Sequence, residues 1–155
     1  MVSDAESLLS DGWTRLDDGT FPASIGRVFV RSANGDGKGI GNTDVEIGLL
    51  CEQRQGNLSG IVHGGAIMTL LDRTMGVNCR AAVDWPMLTA TMSVNFVRPA
   101  QIGDFLRFRC KVLKVARNAV FAEARGEVEG KEIAMATGTF VRRDWAAPND
   151  SVQRD

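Results

Sequence analysis

The sequence predicts an α+β fold in which one antiparallel sheet packs against a single long helix. Three observations lead there. Residues 63–82 form a proline-free run rich in alanine, leucine and methionine, long enough for roughly five helical turns. Residues 88–96 alternate apolar and polar side chains with a period of two, the mark of a strand with unlike faces. The strand-like segments that follow are joined by connections of hairpin length, which require antiparallel pairing. A sheet with one apolar face and a helix with a broad apolar stripe bury both by packing together.

Each element has its own warrant. Residues 4–16 read as a short amphipathic helix around Leu8, Leu9 and Trp13. From Phe21 to Ala33 the chain reads as extended, with Val28 and Val30 one strand period apart. Asn34 to Asn42 holds four glycines and reads as a turn or loop. Val45, Ile47 and Leu49 alternate with Asp44, Glu46 and Gly48, a strand pattern, and residues 52–61 have loop composition. On the long helix, Ile67, Leu71, Asn78 and Ala82 centre the apolar stripe, while Thr69, Arg73, Gly76 and Arg80 share the polar side. After it, Leu88, Ala90, Met92, Val94 and Phe96 are expected on one strand face, with Thr89, Thr91, Ser93 and Asn95 on the other. Two further alternating segments flank a turn at Arg117-Asn118, and Glu129-Gly130-Lys131 reads as a tight hairpin before a last small-residue strand from Ile133 to Val141. The tail from Asp144 is polar and is expected to fray.

Length and composition narrow the function. The 155 residues are expected to form one domain, 1–155, with a core over about 25–142 flanked by the N-terminal helix and the polar tail. A net charge of −1 makes no electrostatic case for nucleic acid or an anionic membrane as main partner. Cys51, Cys79 and Cys110 lie apart in apolar segments, form no C-x-x-C, and fit buried thiols of a reducing compartment. A single histidine and no Cys/His cluster offer no metal site. The N-terminus lacks a basic stretch followed by an apolar core, and no run approaches the length of a membrane span. The cytoplasm is the expected location.

The chemistry concentrates in N-L-S-G-I-V-H-G-G-A-I-M-T-L-L-D-R-T-M-G, residues 57–76. His63-Gly64-Gly65 stands where a loop enters the long helix. The first turn of a helix carries N–H groups without internal partners and with partial positive charge. A bare backbone at Gly64 can therefore grip a carbonyl oxygen that becomes negative during attack. Asp72 lies eight residues on, at the edge of the apolar stripe, beside Met68 and Cys79. A partly desolvated carboxylate serves well as base or nucleophile; the alternative is a surface carboxylate paired with Arg73 or Arg80. Within one helix Gly64 and Asp72 are roughly 12 Å apart along the axis, too far to act on one carbonyl. If they cooperate, they come from two copies of the chain.

Asn57-x-x-Gly60-x-x-His63-Gly64-Gly65, followed by Leu70-Leu71-Asp72 on a helix, resembles the hotdog-fold acyl-CoA thioesterases of the phenylacetic-acid-degradation type. Asn95-Phe96-x-x-Pro99-Ala100 and Gly103-Asp104 extend the resemblance over roughly residues 25–142. It implies a sheet wrapped around the helix, dimers or dimers of dimers, and active sites at subunit interfaces. By position it implies Asp72 as nucleophile or general base, with the Gly64 N–H and the Asn57 side chain polarising the thioester carbonyl. His63 would hold the loop or contact the departing sulfur, and Thr89 would orient water. Gly65, Met68 and Arg98 are the candidates for contacting substrate, and Arg98, Arg117, Arg142 and Arg143 are the candidates for the phosphates of coenzyme A. The resemblance implies no cofactor, coenzyme A being part of the substrate, and no metal. Each candidate has a plainer reading: a capping histidine, a turn asparagine, a polar strand face, a solvated arginine. Two other functions compete, an acyl-thioester hydratase or dehydratase and a non-catalytic acyl-CoA-binding domain. The first commonly pairs its Asp and His in a closer segment, and the second tends to lack the acid.

Overall fold

The computed structural model describes residues 5–32 and 44–143. In chain order these form α1 (Ala5–Ser10), β1 (Thr14–Arg15), α2 (Phe21–Ser24), β2 (Arg27–Ser32), β3 (Val45–Leu50), a single 3-10 turn (Gln53–Gln55), α3 (Gly64–Ala81), β4 (Met87–Phe96), β5 (Phe105–Val115), β6 (Ala119–Val128) and β7 (Lys131–Arg142). The expected glycine-rich loop at 34–42 and the polar tail from 144 lie outside the described residues.

The strands make one antiparallel seven-stranded sheet in the order β1-β2-β3-β5-β6-β7-β4. The chain enters α3 after β3, third in that order, and returns as β4 on the far edge, so the part of the sheet from β3 to β4 wraps α3. Its buried stripe of Ile67, Leu70, Leu71, Thr74, Met75, Asn78 and Cys79 packs against Val45, Ile47, Leu49, Leu106, Phe108, Ala122, Ala124, Ala136 and Phe140. A sheet wrapped around one long helix is the hotdog fold, as expected.

Asn78 explains how a polar residue sits at the centre of that stripe. Its Oδ1 accepts from the Val45 N–H at 2.9 Å, and its Nδ2 donates to the Val45 carbonyl at 2.9 Å and to Thr74 O at 2.8 Å. The side chain thus pairs with the first residue of β3 much as a neighbouring strand would, so neither the amide nor Val45 is left open in the core.

Two expectations change at the N-terminus. The first helix ends at Ser10 rather than near residue 16, because Gly12 adopts a φ of 82° and turns the chain back, with Trp13 N–H donating to Leu8 O. Trp13 then joins Leu8, Phe29, Leu50 and Phe105 in a second apolar cluster. The segment beginning at Phe21 is not extended at first: Pro22 stands in the first turn of α2, where its missing N–H costs nothing, and the strand starts only at Arg27.

The second cluster covers the sheet face opposite α3, which is why β3 is buried at all six residues although its sequence alternates. Glu46 is the consequence. It is 3% exposed and is held by Arg31 and Arg107, and Arg107 and Arg109 in turn reach Glu127. Burial pushes its carboxyl pKa up, but the hydrogen bonds from Arg107 and Arg31 outweigh that and hold it below its ordinary value. Arg31 also lies over the Trp13 ring, 4.4 Å from its centroid.

The hairpin at Glu129-Gly130 is as expected. Both residues have positive φ, 49° and 75°, which matches the twist of the flanking strands.

Candidate active site

The start of α3 is built by its own sequence. His63 is the N-cap, and its Nδ1 accepts the Gly65 N–H at 2.8 Å. An imidazole that accepts at Nδ1 carries its proton on Nε2, so the bonding fixes the tautomer. The His63 N–H is in turn held by Gln55 O at 2.7 Å. Gln55 is itself buried, its Oε1 accepting from Glu52 N–H and its Nε2 donating to Ile25 O. The helix start is therefore tied to the 3-10 turn and to the end of α2. Gln55 was not apparent from the sequence, where it sits in a stretch of loop composition.

With Gly65 N–H used by the cap, the Gly64 N–H has no acceptor among the described residues. Asn57 stands beside it. The Asn57 Oδ1 accepts from Ser59 N–H at 2.8 Å and Ile61 N–H at 3.3 Å, which closes the loop. Its amide nitrogen is left to donate. Asn57, Gly64, Phe96 and Arg98 line one shallow cleft. Two hydrogen-bond donors, one backbone and one side chain, thus border the same space. Gly64 has a steric reason too, since a Cβ there would meet the Phe96 ring at 3.1 Å. His63 and Gly65 face the other side of the helix start, in a cleft with Phe21, Arg54 and Thr69.

Asp72, two turns along α3, is half-buried. Its Oδ1 accepts the Thr89 hydroxyl at 2.8 Å. Among the described residues no guanidinium pairs with it: Arg73 instead reaches Asp18 at 2.7 Å. Asp18 also accepts from the hydroxyl and the N–H of Thr20, and its pKa is lowered, chiefly by the Thr20 hydroxyl and more weakly by Arg73. The plain reading of Asp72 as an arginine-paired surface carboxylate does not describe this molecule. Met68 lies one turn before Asp72 and is 38% exposed.

Thr89 reaches Asp72 only because β4 is not regular. Thr89 pairs with Phe140 and Thr91 with Thr139, so Ala90 is an extra residue, a β-bulge. Strict alternation would have put Thr89 on the face of Thr91, Ser93 and Asn95. The bulge resets the phase: Met87 and Thr89 share the helix-facing side with Met92, Val94 and Phe96, while Leu88 turns outward and is 50% exposed. The expected two-face assignment is thus correct from Thr91 onward and inverted at Leu88 and Thr89.

The structure brings the candidates together in two groups. Asn57, Gly64 and Arg98 gather at the helix start, with His63 and Gly65 holding that start in place; Asp72 and Thr89 meet two turns away. The cysteines are unpaired, Cys51 and Cys79 buried and Cys110 partly so. Burial raises their thiol pKa values, to about 12 for Cys51, about 11 for Cys79 and about 12 for Cys110. Each therefore stays a protonated, unreactive thiol near neutral pH. Among the described residues no helix is long and apolar enough to cross a membrane.

The thioesterase superfamily's sequence model matches residues 59–134, from the loop before α3 through the bulge and into β7. Mouse acyl-coenzyme A thioesterase 13 is 31% identical over 101 residues, which span 59% of this chain and 70% of the mouse protein. The phenylacetic acid degradation protein PaaI of Thermus thermophilus, solved as a point mutant, superposes with a TM-score of 0.69 at 20% identity, over 79% of this chain and 98% of the other. A Streptococcus mutans protein solved with bound acetyl CoA gives a TM-score of 0.63 at 22% identity, over 66% of this chain and 82% of that one. Fold and sequence together define a thioester hydrolase. The chain belongs to the thioesterase superfamily.

Proposed function

We propose that the protein hydrolyses acyl-CoA thioesters, with Asp72 supplying the base or nucleophile and the Gly64 N–H and Asn57 amide nitrogen binding the carbonyl oxygen. The observation that carries this is the state of Asp72. Its carboxylate is aimed by a hydroxyl, and the adjacent arginine is engaged elsewhere. An ion-paired carboxylate would be a weaker base; one held by a neutral donor keeps its charge available. Thr89 occupies Oδ1, and Oδ2 is left to act.

The chemistry balances with these groups alone. Asp72 takes a proton from water, and the hydroxide oxygen attacks the thioester carbon. The oxyanion is met by the two donors at the helix start. Collapse breaks the C–S bond, and the proton held on Asp72 goes to the departing thiolate, giving free acid and coenzyme A. In the nucleophilic variant an Asp72 oxygen attacks the thioester carbon and the C–S bond breaks, leaving a mixed anhydride and the thiolate. Water then opens the anhydride to free acid and the Asp72 carboxylate, and its second proton goes to the thiolate. A thiolate leaves readily, so no strong acid is demanded of His63; its Nε2–H can contact the sulfur while Nδ1 holds the cap. Arg98 lines the cleft of Asn57 and Gly64, where it would meet phosphate, while Gly65 lies with His63 in the neighbouring cleft and Met68 one turn before Asp72.

Because the two groups of residues are separated along α3, the working site uses Asp72 and Thr89 of one copy and Asn57 and Gly64 of another. The protein is thus proposed to act as a homodimer or a dimer of dimers, without metal or bound cofactor. A relative of the same fold solved with acetyl CoA supports this choice of substrate.

The test is release of free thiol from a panel of acyl-CoAs by wild type and Asp72→Asn. Loss of about 100-fold or more is expected. Equal activity, or acyl-CoA binding without hydrolysis by wild type, would overturn the proposal. Mixing Asp72→Asn with Asn57→Ala should restore part of the activity if the site is shared. Single-turnover hydrolysis in ¹⁸O-water separates the two variants: label entering the protein carboxylate marks a nucleophile.

A further inference from the structure

Gly76 occupies the interior of α3, where glycine is a poor helix former. Some glycines here are required by a neighbour, as Gly64 is by Phe96. Gly76 is not: a Cβ at that position would meet only Phe140 Cε1, at an ordinary 3.8 Å. Packing within the chain leaves its missing side chain unexplained.

What the missing side chain leaves open is a cleft of about 480 Å³ between the second half of α3 and the start of β4. That volume suits a small-molecule group. Val77, Ala81, Met87 and Phe140 give it an apolar floor, and Arg73 and Arg80 flank it on the helix side. Arg73 is bound to Asp18, and Arg80 is exposed, so its aliphatic stem forms wall while its head stays in water. The cleft begins one helical turn past Asp72. Met87, on its floor, precedes Thr89 by two residues on the same strand face. Asp72 and Thr89 are not themselves in its wall, but the residue after Asp72 on the helix, Arg73, and the residue two before Thr89 on the strand, Met87, both line it.

We propose that this cleft receives the apolar acyl group of the thioester, and that the absence of a side chain at Gly76 sets how long an acyl chain it takes. The proposal rests on the reading of Asp72 given above, since it is the position of that carboxylate that makes this the acyl side of the thioester.

The experiment uses the full chain and separates the two claims. Affinities are measured for coenzyme A and its butyl and octyl thioethers, which cannot be hydrolysed, in wild type, Gly76→Ala and Gly76→Leu. Values of kcat/KM are measured for acetyl- to octanoyl-CoA in the same proteins and in Asp72→Asn. Wild type should bind the octyl thioether more tightly than the butyl, and Gly76→Leu should erase about tenfold or more of that advantage. The octanoyl-to-acetyl ratio of kcat/KM should fall in parallel. Gly76→Ala should raise Tm, because alanine favours the helix, while still cutting the long-chain preference. Stability and chain-length preference moving in opposite directions is a result that a structural role for Gly76 does not produce. Identical thioether profiles in wild type and Gly76→Leu overturn the acyl cleft, even where Asp72→Asn is inactive. Full activity of Asp72→Asn overturns the reading of Asp72, and a flattened thioether profile in Gly76→Leu then still supports the cleft.

Discussion

Thr89 donates its hydroxyl proton to Asp72 across the gap between the edge strand and the helix, at 2.8 Å. A hydrogen bond to a charged group contributes about 1.5–3 kcal/mol. If it is realised at the reacting carboxylate, Thr89→Val should lower kcat roughly 10- to 100-fold, with Thr89→Ser recovering most of it. Thermal unfolding of both variants should stay close to wild type, because Thr89 is exposed. A Thr89→Val enzyme with unchanged kcat would remove Thr89 from the site.

His63 makes a prediction of a different kind. Its Nδ1 caps α3, so His63→Ala should cost about 1 kcal/mol of stability in urea unfolding, and His63→Ser, a good N-cap, should return most of it. If holding the helix start is its main task, activity will follow stability through the three proteins. A His63→Ser enzyme that is stable yet slow assigns it a direct contact with the leaving sulfur.

Asn78 is the polar pin of the core. Asn78→Leu is close in size but strands the Val45 N–H and carbonyl in a dry interior, at about 2–4 kcal/mol for the pair. Urea unfolding monitored by tryptophan fluorescence should show the midpoint falling with an unchanged slope. A neutral effect would mean that water satisfies Val45 once the amide is gone.

Glu46 ties stability to pH. Its folded pKa lies below the ordinary value of 4.5, so the folded state gains from its charge above that pH and loses the gain as pH falls through the lower, folded value. Glu46→Gln should cost about 2–3 kcal/mol at pH 7, since it leaves Arg31 and Arg107 without their shared carboxylate. The gap between the two proteins should close as the pH is taken below about 4.5. A gap that stays constant with pH would show that shape, not charge, carries the effect.

The fold was legible because its signals are periodic. The extent of α3 and the order of the later strands follow from spacing alone, and the hairpin at Glu129-Gly130 from its turn residues. What was not legible depends on contacts distant in sequence. The burial of Glu46 follows from Trp13 and Phe29 covering a face that local alternation marks as polar. The freedom of Asp72 from Arg73 follows from Asp18, 55 residues before that arginine. The candidate site was half visible: Asn57, His63, Gly64 and Asp72 stand in one motif, whereas Thr89 drew notice through resemblance and was assigned to the wrong face by its own alternation. The division of labour at the helix start, with Gly65 N–H used for capping and Gly64 N–H left over, is a matter of which donor meets which acceptor, and sequence carries no sign of it.

The extra residue at Ala90 has a consequence for how such a protein changes over time. One small residue added to β7 between Thr139 and Phe140 would give Ala90 a partner and straighten the strand, while altering no charge and removing no functional group. It would nonetheless rotate Thr89 away from the helix and bring Leu88 in. Chemistry here is carried partly by the count of residues along a strand. Gains and losses of activity in such a lineage can therefore arise from single-codon insertions and deletions, and a gapless comparison of two chains would match the wrong hydroxyl to the wrong carboxylate.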